Sequence, residues 1–191
     1  MGTVPRTWPA GAVGLVGCRV ARSDDAPPNH SRYVGAVARQ PRNVLPAAGV
    51  YHVTCRGVAR CEIFGDDSDR EYLVRLLHET ARKFEWHCHA YCLMGNHYHA
   101  IVESDLDSLS LGIHRMNGAY AQRFNRRQER VGHLFQNRFF ARIIQSDEHL
   151  ETAIAYVWNN PVRAGLCDEA YEWPWGGAIA PPRRRHTQRT A

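Results

Sequence analysis

The alternation of apolar and polar residues predicts regular structure from about residue 46 onward. In "GVYHVTCRG" the two kinds of position alternate, which predicts a half-buried strand. From 68 to 85 the apolar residues recur at intervals of three and four, which predicts an amphipathic helix. The next stretch, "YCLMGNHYHAIVE", predicts a hairpin with arms at 91–94 and 97–103 and a turn at Gly95-Asn96.

Three further elements are predicted after the hairpin. A second amphipathic helix is predicted by the apolar stripe Leu109, Ile113, Met116, Tyr120 and Phe124. The β-branched and aromatic run at 139–144 predicts a strand, and Ser146 is a good N-cap for a last helix that Pro161 should end. The order β-α-β-β-α-β indicates the α+β class and a ferredoxin-like split βαβ plan, with an additional C-terminal helix.

Length and composition favour one folded domain with a tail at each end. At 191 residues and 44% hydrophobic, the chain can bury one sizeable core. Residues 1–45 mix Gly, Pro, Ala and Arg without a period, so we expect a poorly ordered extension there. We predict a folded domain over 46–168 and a C-terminal segment with a basic tail over 169–191.

The sequence also favours a cytoplasmic protein with no membrane association. The longest apolar stretch near the N-terminus, 10–18, is about half the ~18 residues that a span requires, and no secretory leader is recognised. The six cysteines lack the paired spacings of a zinc ribbon or a disulfide framework, which indicates a reducing compartment.

Positive charge is concentrated in one segment of the chain. The formal net charge is +5, but between residues 115 and 142 lie seven arginines and one acid. Arginine pairs bidentately with phosphate oxygens, so this segment suits a phosphodiester backbone. The alternative is a solvated helix in an arginine-rich chain. The candidate DNA contacts are Arg115, Arg126, Arg127, Arg130, Arg138 and Arg142.

Two histidines, His97 and His99, are one residue apart in the second arm of the hairpin. Because side chains alternate along a strand, both imidazoles project from one face and can reach one metal ion. Two ligands leave a metal under-coordinated, and Asn160 is the candidate third donor. Histidines at this spacing also occur merely hydrogen-bonded, and the pattern alone does not exclude that alternative.

Tyr156 is the candidate nucleophile. It precedes Asn160 by one helical step of four, so the phenol and the amide share a helix face. If that face packs over the histidine strand, a metal and a hydroxyl meet where a phosphate could react. The simpler alternatives are a packed aromatic at Tyr156 and a helix cap at Asn160. Tyr120 is an alternative nucleophile, but it belongs to the apolar stripe of the second predicted helix, which predicts a position in the core.

A second group of potential ligands precedes the hairpin turn: His87, Cys88, His89 and Cys92. In a regular strand the two cysteines face opposite to the two histidines. We therefore expect buried structural thiols there and no four-ligand zinc site.

Five stretches of this chain resemble the REP-associated tyrosine transposases, a group of the single-tyrosine HUH transposases. They are "GVYHVTCRG", "IFGDDSDREYLVRLL", "AYCLMGNHYHAIVE", "MNGAYAQRFNRRQERVGHLFQNRFFARII" and "AIAYVWNNPVRAGL", which together span about residues 45–168. A lone His-x-His would be weak evidence, whereas five motifs in the order of the family are specific.

The resemblance implies a ferredoxin-like nuclease domain that acts on single-stranded, usually hairpin-forming, repeat DNA. His97 and His99 match the family's metal-binding pair, Asn160 its third ligand and Tyr156 its nucleophile. By this analogy Tyr156 attacks the scissile phosphate, which leaves a 5′-phosphotyrosine link and a free 3′-hydroxyl. Family members use Mg²⁺ or Mn²⁺, and two imidazoles favour Mn²⁺.

The sequence favours the first of three functions, because a mere binding module has no evident need for His97, His99, Tyr156 and Asn160 together. The first is a metal-dependent enzyme that nicks and transfers strands of single-stranded DNA at the nucleoid, as a monomer or a homodimer. The second is a catalytically idle module that binds hairpin DNA or RNA. The third is a metal hydrolase that uses water and forms no protein-linked product.

Overall fold

The computed structural model describes residues 45–180, which form an antiparallel sheet with helices on both of its faces. The predicted N-terminal extension, apart from Leu45, lies outside the described residues, and so does the basic tail beyond residue 180. No helix in the described part of the chain is both long enough and apolar enough to cross a membrane.

The elements follow one another in the predicted order, with one further strand at the end. The strands are β1 (Ala48–Arg56), β2 (His87–Leu93), β3 (His97–Asp105), β4 (Phe140–Ile144) and β5 (Gly176–Ile179). The helices are α1 (Asp67–Lys83), α2 (Leu106–Arg127), α3 (Asp147–Trp158) and α4 (Asn160–Arg163). Short 3-10 helices cover Val58–Arg60 and Ala170–Glu172.

The strands that the structure describes lie in the order β4-β1-β3-β2-β5, and each pairs antiparallel with its neighbour. This arrangement confirms the predicted α+β class. The hairpin prediction is also confirmed, because the Met94 amide donates to the His97 carbonyl at 2.8 Å across the turn. The edge strand β5 was not predicted, since its four residues, "GGAI", carry no alternation.

The end of the last long helix differs from the sequence prediction. Helix α3 ends at Trp158, whereas we expected it to continue to Pro161. Proline has no backbone N–H and therefore disrupts the interior of a helix. In the first turn of a helix, however, backbone N–H groups have no partner within the helix, so proline is tolerated there. Pro161 accordingly lies in the first turn of the short helix α4, and Asn160 begins that helix.

The two faces of the sheet are covered by different helices. Tyr51, Val53 and Cys55 of β1 belong to the main core, which also contains buried residues of α1 and α2. The opposite face carries a smaller core that joins the sheet to α3 and includes Ile101 and Tyr156. Because a strand alternates its side chains, His97 and His99 point to the same face as Ile101. The histidine pair therefore lies on the α3 side.

The packing of α2 on Trp86 gives a prediction for stability. A Cβ at Gly112 would collide with the Trp86 ring, 2.6 Å from Cη2, and would stand 3.0 Å from the Thr80 methyl group. Gly112→Ala should therefore lower the free energy of unfolding by about 1–3 kcal/mol. Gly118 lies in the same helix with nothing within 4 Å of its Cβ position. Gly118→Ala should be neutral or stabilise by about 0.5–1 kcal/mol.

Urea denaturation of both variants checks this prediction. Equal destabilisation by the two substitutions would show that backbone conformation, and not contact with Trp86, decides the effect.

Candidate functional site

The two histidines of β3 meet at the end of the strand nearest the hairpin turn. Their ring centroids are 4.9 Å apart and the ring planes are nearly perpendicular. His97 lies opposite Arg56 of β1, and His99 lies opposite Thr54. The sequence prediction that both imidazoles share one face is thus matched by the structure.

Neighbouring side chains hold His99 in place. Its Nδ1 lies 3.0 Å from Nε2 of His52 and 3.0 Å from Oγ1 of Thr54. Burial, together with the charges of Arg142 and His149, lowers the pKa of His52 to about 4, so His52 is neutral at pH 7. Because these contacts engage Nδ1, a metal bound by His99 would use Nε2.

His97 is oriented in a similar way. Its Nδ1 lies 2.7 Å from Oδ1 of Asn96, and since an amide oxygen only accepts, the imidazole N–H is at Nδ1. Nε2 is then the nitrogen that could bind a metal. Sequence reasoning missed the supporting roles of Asn96, His52 and Thr54, although the alternation in β1 already placed the last two on one face.

Tyr156 of α3 packs against His99 and His52. Its ring centroid lies 6.0 Å from that of His99 and 6.0 Å from that of His52. The side chain is buried, with 8% of the residue exposed. Burial raises the pKa of the Tyr156 phenol, and the nearby Arg163, Arg56 and Asn160 partly oppose that rise. The phenol is therefore protonated at neutral pH, next to the histidine pair.

Asn160 is buried beside Tyr156 at the start of α4. Its side-chain amide donates to the backbone carbonyl of Tyr156 at 2.9 Å. This bond satisfies a carbonyl at the end of α3, which is the capping role weighed as the alternative to metal binding. Because the cap uses only the amide nitrogen, both roles are compatible with the geometry.

Two arginines outside the predicted DNA-binding set flank the phenol. The Arg163 guanidinium carbon lies 5.2 Å from the centre of the Tyr156 ring. Arg56 lies opposite His97, and its Nε is buried without a hydrogen-bond partner among the described residues. No sequence signal singled these two out, because Arg56 is the last residue of a strand and Arg163 the last residue of a four-residue helix. Their charges favour an anionic group at this position.

The predicted DNA-binding arginines occupy different environments. Arg115, Arg126 and Arg138 are exposed, whereas Arg130 and Arg142 are partly buried. Arg142 of β4 lies opposite His52, next to the histidine group. The DNA contacts assigned to these arginines stay predictions.

Arg127 differs from the rest because it is held by acids of α1. Its Nη2 lies 2.7 Å from Oδ2 of Asp66, and its Nη1 pairs with the buried Asp69. The hydrogen bond from Arg127 holds the pKa of Asp66 well below its usual range. A DNA contact by Arg127 would have to compete with these two ion pairs.

Three further potential ligands lie elsewhere on the sheet. His87, His89 and Glu103 each place one ligand atom within 4.8 Å of the others. The sequence analysis considered the two histidines only with Cys88 and Cys92, which are buried free thiols, as predicted. The expectation that both cysteines share a face was wrong, because the bulge between them places Cys88 in the main core and Cys92 in the smaller core on the α3 side. The sequence analysis did not identify Glu103, because that residue is brought in by pairing between strands.

Comparison with known proteins places the chain among transposases. Residues 48–160 match the sequence model of a family described as "Transposase IS200 like". A REP-associated tyrosine transposase from Haemophilus influenzae is 23% identical over 128 aligned positions, which cover 57% of this chain and 72% of that protein.

A solved structure shares the fold. It is a REP-associated tyrosine transposase bound to a REP hairpin, and it superposes with a TM-score of 0.57 at 17% identity. The match covers 73% of this chain and 82% of the other.

Proposed function

The chain belongs to the family of IS200-like transposases, and from this premise we propose that it nicks single-stranded DNA beside hairpin-forming repeats and transfers the cut strand. The resemblance to REP-associated tyrosine transposases supports this, because one relative carries that name and another is described as bound to a REP hairpin. The domain would be a ferredoxin-like split βαβ unit over 46–168, working at the nucleoid in the cytoplasm.

One observation carries the proposal: the Tyr156 ring lies 6.0 Å from the ring of His99, on the same face of the sheet. A phosphate placed between the phenol and the histidine pair would be reached by both. Arg163 and Arg56 add positive charge around that position. We therefore assign Tyr156 as the nucleophile, on the helix that packs against this face.

The residues present fit a divalent cation. Both imidazoles have Nδ1 engaged by a neighbour, so each would bind the ion through Nε2, and Asn160 offers an amide oxygen. Two nitrogens and one oxygen suit Mn²⁺ and are also compatible with Mg²⁺. When bound, the ion would supply Lewis-acid polarisation of a phosphoryl oxygen.

In the proposed covalent step, Tyr156 replaces the 3′-oxygen of the DNA on the scissile phosphorus. The phenol of Tyr156 loses its proton and its oxygen bonds to the scissile phosphorus, while the bond from phosphorus to the 3′-oxygen breaks. That oxygen gains a proton and becomes a free 3′-hydroxyl. Since one phosphoester replaces another, no nucleotide needs to be hydrolysed, and a 3′-hydroxyl can reverse the step.

A single assay separates the three functions that the sequence left open. The protein is incubated with single-stranded hairpin DNA labelled at its 3′ end and Mn²⁺, and the products are resolved on a denaturing gel. We expect a labelled covalent adduct with the protein. Cleavage without an adduct would indicate a water-using hydrolase, and binding without cleavage would indicate an idle binding module.

The arginine segment gives a second prediction, with Arg126 and Arg127 as a matched pair. Arg126→Ala should weaken hairpin binding and reduce the slope of log K against log salt by about 1, without changing Tm. Arg127→Ala should instead lower Tm by about 5 °C at pH 7, because Asp66 and Asp69 lose their partner.

The pH dependence of the Arg127→Ala effect checks its cause. The pKa of Asp66 is depressed in the folded protein, so its contribution to stability is present above its unfolded pKa near ~3.9 and is lost as the pH falls further. The difference in Tm between wild type and Arg127→Ala should therefore shrink below about pH 4.

For Arg126→Ala, an unchanged slope of log K against log salt would make that arginine a solvated surface residue.

A further inference from the structure

Two histidines and a glutamate meet on the sheet at a distance from Tyr156. Nε2 of His89 lies 3.0 Å from Oε2 of Glu103, and Nδ1 of His87 lies 3.6 Å from the same oxygen. The ligand atoms of all three lie within 4.8 Å of one another. We call these three residues the bulge cluster, because a β-bulge brings them together.

The bulge shortens the distance between the two imidazoles. The register between β2 and β3 shifts between Cys88 and Ala90, which makes His89 the extra residue. In strand β3, the rings of His97 and His99, which are also two positions apart, have their centroids 4.9 Å apart. At this bulge the ring centroids are 3.9 Å apart, and His87 lies directly opposite Glu103. The backbone thus aims both rings at one carboxylate.

The donor set matches the ligands that zinc takes in proteins. Two imidazole nitrogens and one carboxylate oxygen supply three ligands and leave a fourth position for water. Such a nitrogen-rich set suits Zn²⁺ better than Mg²⁺, which prefers oxygen ligands. The side chains of Glu103 and His87 are 55% and 37% exposed, so an ion can enter from solvent.

The bulge cluster cannot share an ion with the histidine pair next to Tyr156. Glu103 and His99 are four residues apart on β3, which corresponds to about 13 Å along the strand. Metal–ligand bonds in such sites are only about 2.0–2.3 Å long. Any ion at the bulge cluster is therefore separate from the one proposed to assist the nucleophile.

We propose that His87, His89 and Glu103 form a second metal site, which binds Zn²⁺ and ties the bulged strand β2 to β3. The site joins residues on neighbouring strands, so an ion bound there stabilises their pairing in the folded state. It is independent of the nucleophile and of the metal site beside it. The simpler alternative is an ion pair in which Glu103 holds one or both imidazoles without a metal.

The test uses a full-length background in which the other histidine pair is removed, His97→Gln/His99→Gln, with no affinity tag. Zn²⁺ binding is counted by native mass spectrometry, and Co²⁺ serves as a visible-absorption probe. We expect one equivalent of metal in this background. Saturating Zn²⁺ at about 100 times its Kd should raise Tm by about 5–10 °C.

Two further variants in the same background locate the ion. His87→Gln/Glu103→Gln changes two side chains that are at least partly exposed, so the fold should persist, and it should abolish both the bound equivalent and the Tm shift. His114→Gln changes an exposed histidine of α2 and should alter neither. If the His97→Gln/His99→Gln protein bound no metal, the proposal would be overturned. It would also be overturned if metal remained bound after His87→Gln/Glu103→Gln.

Nicking activity separates this proposal from the proposed function. His87→Gln/Glu103→Gln in the otherwise wild-type chain should still nick hairpin DNA at the wild-type rate with Mn²⁺ supplied. A loss of nicking with normal folding would show that the two sites are not independent and would contradict the inference.

Discussion

Replacing Tyr156 with phenylalanine should eliminate the covalent protein–DNA adduct and slow nicking by at least about 10⁴-fold. The substitution removes only the hydroxyl oxygen that is proposed to bond to phosphorus. The aromatic ring that packs against His99 and His52 remains, so the fold should be retained. The measurement is adduct formation with labelled hairpin DNA in the presence of Mn²⁺, together with Tm.

The matched control for this variant is Tyr120→Phe. Tyr120 is the rival from the sequence, but it is buried in the main core and its hydroxyl donates to the Ile63 carbonyl. Burial raises the pKa of its phenol far above the usual value, which makes it a poor nucleophile. Tyr120→Phe should lower stability and still form the adduct. Persistence of the adduct in Tyr156→Phe would place the nucleophile elsewhere.

The second large effect is expected from His99→Gln. Removing residues that merely orient a metal ligand costs about 10–100-fold in metal affinity or activity, so removing the ligand itself should cost at least about 100-fold. His99 is buried and contacts both His52 and Thr54, and glutamine retains a polar group for those contacts. Nicking rates measured over a Mn²⁺ titration, together with electron paramagnetic resonance of bound Mn²⁺, test this.

The control for His99→Gln is His114→Gln on the exposed surface of α2. It should leave both the nicking rate and the Mn²⁺ dependence unchanged. If His99→Gln nicked at the wild-type rate with an unchanged Mn²⁺ requirement, the histidine pair would be a structural feature of the strand and not a metal site.

The electrostatics at Tyr156 show why charge around the phenol matters. An unperturbed phenol with a pKa near ~10 is only about one part in a thousand ionised at pH 7, so forming the phenolate costs about 4 kcal/mol of free energy. Burial raises the pKa of Tyr156, and Arg163, Arg56 and Asn160 only partly oppose that effect. Ionisation of the phenol therefore requires additional positive charge, which a cation at the histidine pair would provide.

Local patterns in the sequence determined every long helix, the strands β1 to β4 and the common orientation of the two histidines, but not β5 or α4. A strand repeats every two residues and a helix every 3.6, so the faces of β1, β3 and α2 could be worked out without coordinates. The same period places His97 and His99 together however the rest of the chain folds. The five motifs, taken in order, also sufficed to identify the family.

Contacts between distant segments could be decided only by the tertiary structure. Arg127 pairs with Asp66 and Asp69 of another helix, which no spacing within its own helix could indicate. Glu103 joins His87 and His89 through strand pairing and a bulge, and Arg163 reaches Tyr156 through the turn between α3 and α4. Periodicity fixes which face of an element a side chain occupies. Which other element covers that face depends on long-range packing, and only the folded chain shows it.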